Sequence, residues 1–173
     1  MGKSLIQQKR GKGSPRYRSP GFKFAGKAAF ARYDDKGISN ADVIEIVHSS
    51  GHSAPLMEVK YSNGETGLLQ ANEGIKVGDI IEIGENVELK PGNILPLKNI
   101  PEGTSIYNIE SNPGDGGKFV RTSGSFGRII TKMDDGVVIE LPSSKRMTFM
   151  PECKAIIGVV AGSGRTEKPF LKA

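Results

Sequence analysis

The sequence predicts an all-β protein made of two consecutive small barrels behind an extended basic arm. Three observations carry this expectation. Twenty-three Gly and ten Pro among 173 residues leave little room for long helices and suit a chain of many turns. Short apolar runs alternate with polar residues at a period of two, as half-buried strands do. Nine Lys or Arg and no acid fall within residues 1–33, against a whole-chain charge of +5, so the rest of the chain carries −4.

The arm comes first. "GKGSPRYRSPGFKFAGK" contains Pro15, Pro20 and frequent Gly, so by itself it is expected to be extended and disordered, with order beginning near Ala28. Its cations can neutralise phosphates while Tyr17, Phe22, Phe24 and Phe30 stack on bases. It lacks the apolar helical period of a membrane-surface helix. "ADVIEIVH" then reads as a strand. In "LMEVKYSNGETGLLQ", Met57, Val59 and Tyr61 alternate with Glu58 and Lys60, and Asn63-Gly64 suits a type I′ hairpin turn. "VGDIIEIG" closes the first group of strands.

A Pro- and Gly-rich connector, "LKPGNILPLKNIPEGT", separates the groups. The second comprises "TSIYNIE", "GKFVRTS", "FGRIITK", "GVVIELP", "KRMTFM" and "KAIIGVV". Arg121 is expected mid-strand, Asp135-Gly136 as a turn, and Lys145 and Arg146 at a hairpin turn. Val137, Ile139 and Leu141 alternate as one strand face should. The expected division is residues 1–33 for the arm, 34–87 for the first barrel and 88–173 for the second.

The motifs for catalysis fail in turn. In "NPGDGGKFVRTSGSFGRI", Lys118 follows Gly117, but Phe119 stands where a P-loop needs Ser or Thr, and Asn112 where it needs Gly. The dinucleotide fingerprint fails at Phe119 as well. His48 and His52 are spaced i, i+4, but Gly51 and Pro55 favour a surface loop over a metal-gripping helix. Cys153, the single cysteine, excludes an internal disulfide and a Cys-pair zinc site, and is expected to be a buried small residue. Asp34-Asp35 and Asp134-Asp135 read as exposed turns. The longest apolar run, residues 155–161, falls far short of the ~20 that span a bilayer. Nor does an apolar stretch follow the first basic residues, as a signal peptide requires. No catalytic residue, cofactor, metal or small-molecule substrate is expected.

What remains is a set of cations on β-scaffolds. Lys118, Arg121 and Arg128 lie in or beside the glycine-rich stretch, Lys145 and Arg146 at a turn, and Arg165 after "AGSG". The arm supplies Arg10, Arg16, Arg18, Lys23, Lys27 and Arg32. Glycine lets another backbone come close, and neighbouring Arg can fork onto phosphate or base edges, so RNA is the expected partner.

"GNILPLKNIPEGTSIYNIESNPGDGGKFVRTSGSFGRII" resembles the central block of the universal large-subunit ribosomal protein L-two family. "VHSSGHSAPLMEVKYSNGETGLLQANEGIKVGDII" is similar to that family's first barrel. "LPSSKRMTFMPECKAIIGVVAGSGRTEKPFLKA" is similar to its closing strands, and both ends resemble the archaeal and eukaryotic branch. The resemblance implies an OB-like barrel followed by an SH3-like barrel. It also implies a cytoplasmic, non-enzymatic constituent of the large subunit that binds rRNA and touches neighbouring ribosomal proteins. Such a protein supports subunit assembly and association and shapes the peptidyl-transferase surroundings. The family's RNA-contacting Arg falls on Arg121. A basic residue of its first-barrel loop falls on His52, which is neutral at pH 7 and so departs from the pattern. Family members continue past the "KPFLKA" match into a basic, histidine-bearing tail that has no counterpart in this sequence, and peptidyl transfer is assigned to neither His48 nor His52.

Two other readings stand beside this one. A separate OB/SH3 module, such as a translation factor or RNA chaperone, would bind many RNAs transiently. A metal-dependent hydrolase would need His48, His52 and nearby acids to converge.

Overall fold

The computed structural model describes residues 2, 5, 17–18, 21–31, 39–133 and 135–169. Arg10, Arg16, Arg32, Asp34, Asp35 and Asp134, singled out above, lie outside them. The described residues form ten strands and three short 3-10 turns, with no α-helix. The chain is all-β.

Strands β1 (Asn40–Val47), β2 (Leu56–Tyr61), β3 (Thr66–Gln70) and β4 (Ile80–Glu82) make an antiparallel sheet in the order β3-β2-β1-β4. This is the OB-like unit. Its alternation is the one read from sequence: Val43, Val59, Tyr61, Leu69 and Ile81 are buried, while Asp42, Lys60 and Glu82 point outward. The SH3-like unit contains β5 (Ile94–Pro96), β6 (Ser105–Tyr107), β7 (Gly127–Met133), β8 (Gly136–Glu140), β9 (Arg146–Phe149) and β10 (Lys154–Ile157). Their order is β5-β10-β6-β7-β8-β9.

Four local expectations need correction. The β2–β3 turn is not type I′, because among its central residues only Gly64 has positive φ (86°). Gly64 N–H donates to Tyr61 O (2.8 Å) and Tyr61 N–H to Glu65 O (2.9 Å), a type I turn closed by a left-handed bulge residue. The β8–β9 turn repeats this pattern with Ser144 at φ 62° in glycine's place. Secondly, the connector is core: it contains β5, and Leu95, Leu97 and Ile100 are fully buried. Pro96 is tolerated because β5 is the sheet's edge strand, where a missing N–H goes unnoticed.

Thirdly, "GKFVRTS" is not a strand. A single bridge joins Phe119 to Ile109, and Val120 at φ 55° ends the extended path, leaving Arg121 in irregular chain. Lastly, Gly136 belongs to β8, where it pairs with Met133. A Cβ there would stand 2.5 Å from Thr148 Cγ2, so packing in the strand rather than turning requires glycine.

The arm segment nearest the barrels is built into the fold, and order begins before Ala28. Gly51 N–H donates to Lys23 O (2.7 Å), Ala29 N–H to Leu68 O (3.0 Å) and Phe30 N–H to Gly116 O (3.0 Å). Ala28 and Leu68 form a parallel bridge. Phe30 is buried in the first core, which corrects its expected role as a base-stacking ring. That core also takes Ile94, Tyr107, Ile156 and Val160 from beyond residue 87, and Val120 packs against both cores. The two units therefore share a seam.

Because Phe30 anchors the arm in this core, Phe30→Ala should cost about 3–4 kcal/mol of stability in urea denaturation. A loss below about 1 kcal/mol would show that the segment only rests on the surface.

Candidate nucleic-acid interface

The centre of the seam is a guanidinium. Arg121 Nη1 donates to Gly117 O (3.3 Å) and Nη2 to Ala28 O. The Gln70 amide, oriented with its oxygen toward Arg121, accepts from Nε (2.9 Å) and Nη2 (2.8 Å) and donates to Asn108 Oδ1 (3.2 Å). One planar fork thus ties the glycine-rich loop, the end of β3 and the arm. Lysine, with its single compact ammonium, has no such geometry. Burial lowers the guanidinium's pKa, though an arginine stays charged in proteins. The left-handed Val120 precedes it, held by Asn108 N–H donating to Val120 O (2.9 Å). A β-branched residue in that region is strained by roughly 1–2 kcal/mol, and here the strain aims Arg121 inward.

The glycine-rich loop is organised by its own acids. Asp115 Oδ2 accepts from Ser111 and Asn112 N–H, each at 3.1 Å, and Oδ1 accepts from Gly117 N–H at 3.1 Å. Lys118 Nζ lies 3.1 Å from the same carboxylate. Burial acts to raise the Asp115 pKa, but Lys118 and these three N–H donors outweigh it and the net shift is downward. Buried Glu110 accepts from Gly116 N–H (3.2 Å) and Lys154 N–H (2.9 Å). Four loop N–H groups are therefore used within the chain.

The close approach that glycine permits is to this chain's own segments. A Cβ on Gly116 would meet Ala29 Cβ at 2.9 Å, and one on Gly124 would meet Ser163 Cα at 2.6 Å. One on Gly117 would stand closer still to the Asn108 side chain. The expected strand-and-loop surface is a socket for the arm and for the turn at Ser163–Glu167.

The other expected residues fall into separate groups. Arg128, Glu140 and Arg146 are register partners across β7, β8 and β9, so two cations flank one acid on a single face. Lys145 follows the turn directly and Arg146 opens β9, which corrects their expected place in the turn itself, and all three basic residues are exposed. Beside them a shallow cleft of about 350 Å³ is lined by Phe126, Arg128, Glu140, Leu141 and Pro142. Phe126 is exposed and was not singled out from sequence. Arg165 is exposed on the last 3-10 turn, away from that row in sequence but joined to the glycine stretch through Ser163 and Gly124. Arg18, Lys23 and Lys27 are exposed along the arm, as is Phe22.

The histidines separate. His48 is exposed, whereas His52 Nδ1 lies 2.8 Å from Ser49 Oγ and its ring meets Phe24 edge-on at 5.1 Å. Burial and then the Arg121 charge lower the His52 pKa, so it is neutral at pH 7. Among the described residues, no three His, Cys, Asp or Glu side chains converge as a metal site. Cys153 is buried in the second core, where burial foremost pushes its thiol up to about 11, far from thiolate reactivity.

Residues 90–173 match the family model for ribosomal proteins L2, C-terminal domain. Over its whole length the chain is 52% identical to the large ribosomal subunit protein uL2 of Methanosphaera stadtmanae, covering 73% of that relative. The same holds for the uL2 proteins of Methanothermobacter thermautotrophicus, at 50%, and Archaeoglobus fulgidus, at 49%, again over 73% of each. The class is therefore that of ribosomal proteins, cytoplasmic constituents of the ribosome. The chain belongs to the uL2 family.

Two glycines in the same loop test its construction. Gly114 has φ 79° and open space around it, so Gly114→Ala should cost only about 1 kcal/mol of backbone strain. Gly117→Ala adds a collision with Asn108 at the Arg121 socket and should cost about 2–4 kcal/mol. Equal losses in thermal denaturation would contradict this socket.

Proposed function

We propose that this chain is an architectural rRNA-binding constituent of the large ribosomal subunit. It supports subunit assembly and association and helps shape the peptidyl-transferase surroundings, in contact with neighbouring ribosomal proteins. The observation that carries this reading is the anchoring of a strongly cationic arm, through Phe30 and Arg121, to a rigid double-sheet body. That anchoring fixes where the arm leaves the body, so its charges are delivered to one place. Tyr17, Phe22 and the cations of residues 1–27 then follow an RNA groove. The Arg128–Arg146 row, with Lys145 and Phe126, meets a second stretch of backbone.

In this reading Arg121 serves mainly by positioning. Most of its donors face the protein, so it sets the geometry from which Lys23, Lys27 and Arg18 reach phosphates. Lys118, Arg165 and the arm residues Arg10, Arg16 and Arg32 are proposed as further phosphate contacts. The names of the relatives support this reading, because each is a large-subunit protein.

Binding should be steeply salt-dependent. The slope of log affinity against log salt should steepen by roughly 0.7–0.9 for each neutralised phosphate. Removing residues 1–16 deletes five cations and should flatten that slope by about 4 in filter binding to a large-subunit rRNA fragment. Arg128→Ala with Arg146→Ala should flatten it by about 1–2. Slopes unchanged in both variants would overturn the proposal.

A further inference from the structure

The outer face of the first sheet is divided. Over β2 and β3 it is covered by the chain's own arm: Gly26 packs on Leu68, Ala28 bridges Leu68, and Lys27 and Glu58 line one cleft. Over β1 and β4 it lies open. Ile44, Val77 and Ile80 are 44%, 60% and 62% exposed there. Their segments adjoin, because Val43 N–H donates to Asp79 O (2.9 Å), Gly78 N–H to Val43 O (2.8 Å), and Ile80 pairs with Asp42. A bulge between Val43 and Glu45 makes Ile44 the extra residue of β1.

Charge decides what can cover this patch. Residues 39–87 hold eight Asp or Glu and only two Lys, in a chain that is basic overall. Asp42, Glu45 and Glu82 are exposed on β1 and β4, and Glu45 stands opposite Glu58 in the β1–β2 register. Like charges placed directly across a sheet repel, and a cation between them relieves that. Such a surface repels phosphate and offers apolar contact that phosphate cannot use. Strand addition at the β4 edge is also disfavoured, since Glu82 N–H already donates to Asn93 Oδ1 (3.0 Å). The open element is the face.

We propose that the outer β1–β4 face docks a basic protein segment carrying apolar side chains, and not RNA. Ile44, Val77 and Ile80 take the apolar side chains, while Glu45 and Glu82 take the cations, Asp42 already standing opposite Lys60. The chain's own arm already lies on the adjoining half of the same face, where Gly26 and Ala28 meet Leu68 and Lys27 lines one cleft with Glu58. The occupant therefore extends an interface whose chemistry the fold has set. This inference does not depend on the rRNA reading, and the experiment separates the two.

The experiment is an amide NMR titration of the full chain with three probes. These are a short soluble peptide alternating lysine and valine, a lysine–serine peptide of equal charge, and oligouridine. The lysine–valine peptide should shift the amides of residues 42–46 and 77–82. Ile80→Lys, an exposed substitution that leaves the core intact, should weaken its binding roughly ten-fold. Equal binding of the lysine–serine peptide would overturn the apolar patch. So would oligouridine shifting these amides, or a lysine–valine peptide that leaves them unmoved. A spin label at Ser4→Cys that broadens residues 42–46 in the free chain would overturn it in favour of the chain's own arm. Oligouridine shifts confined to the arm and the Arg128–Arg146 row leave the inference standing and bear on rRNA binding alone.

Discussion

The fold depends on satisfying one partly buried guanidinium. Arg121 can be desolvated at the seam only if its fork finds acceptors, and it finds them in Gly117, Gln70 and Ala28. Each acceptor belongs to a different part of the chain, so meeting this one demand fixes three segments together. Other oddities follow from it. Gly117 has no Cβ because Asn108, which orients Gln70, occupies that space. Val120 accepts a left-handed backbone because an extended one would carry Arg121 elsewhere.

From that node the division of labour follows. The arm is cationic and, taken alone, too poor in apolar residues to fold. Phe30 in the core and Arg121 on the Ala28 carbonyl give it a fixed root. The first sheet is acidic, and the second carries exposed cations on β7 and β9, on either side of Glu140 in β8. Charge is thus sorted by element. A uL2-family protein arranged this way carries faces of opposite charge on its two sheets.

Much of the fold was legible in the residues. Strands β2, β7 and β8 announce themselves by alternation, because one face is wet and one is dry, whereas β10, nearly buried throughout, is marked by its apolar run alone. β5 was hidden, since an edge strand admits Pro96 and a strand buried throughout does not alternate. Asn63-Gly64 points to a I′ turn, but Asn-Gly fits two hairpin geometries, and only the loop length built by the flanking strands decides between them. "GKFVRTS" looked like a strand by composition, but the demand at Arg121 overrode propensity at Val120. The exposed cations of the candidate site could be named from charge alone. Gln70 and Asn108 could not, because nothing local marks a buried amide whose partner is distant in sequence. Phe30 escapes for the same reason: its neighbours in sequence include cations, while in space it belongs to the first core with Val43 and Leu69.

The most direct test of this account is amide hydrogen exchange in Arg121→Lys, which keeps the charge but loses the fork. The amides of Ala29 and Phe30, bonded to Leu68 and Gly116, should lose most of their protection, while Val59 and Ile139 in the two sheets keep theirs. If Ala29 and Phe30 stay as protected as in the unaltered chain, Arg121 does not hold the arm, and the account of the seam is wrong.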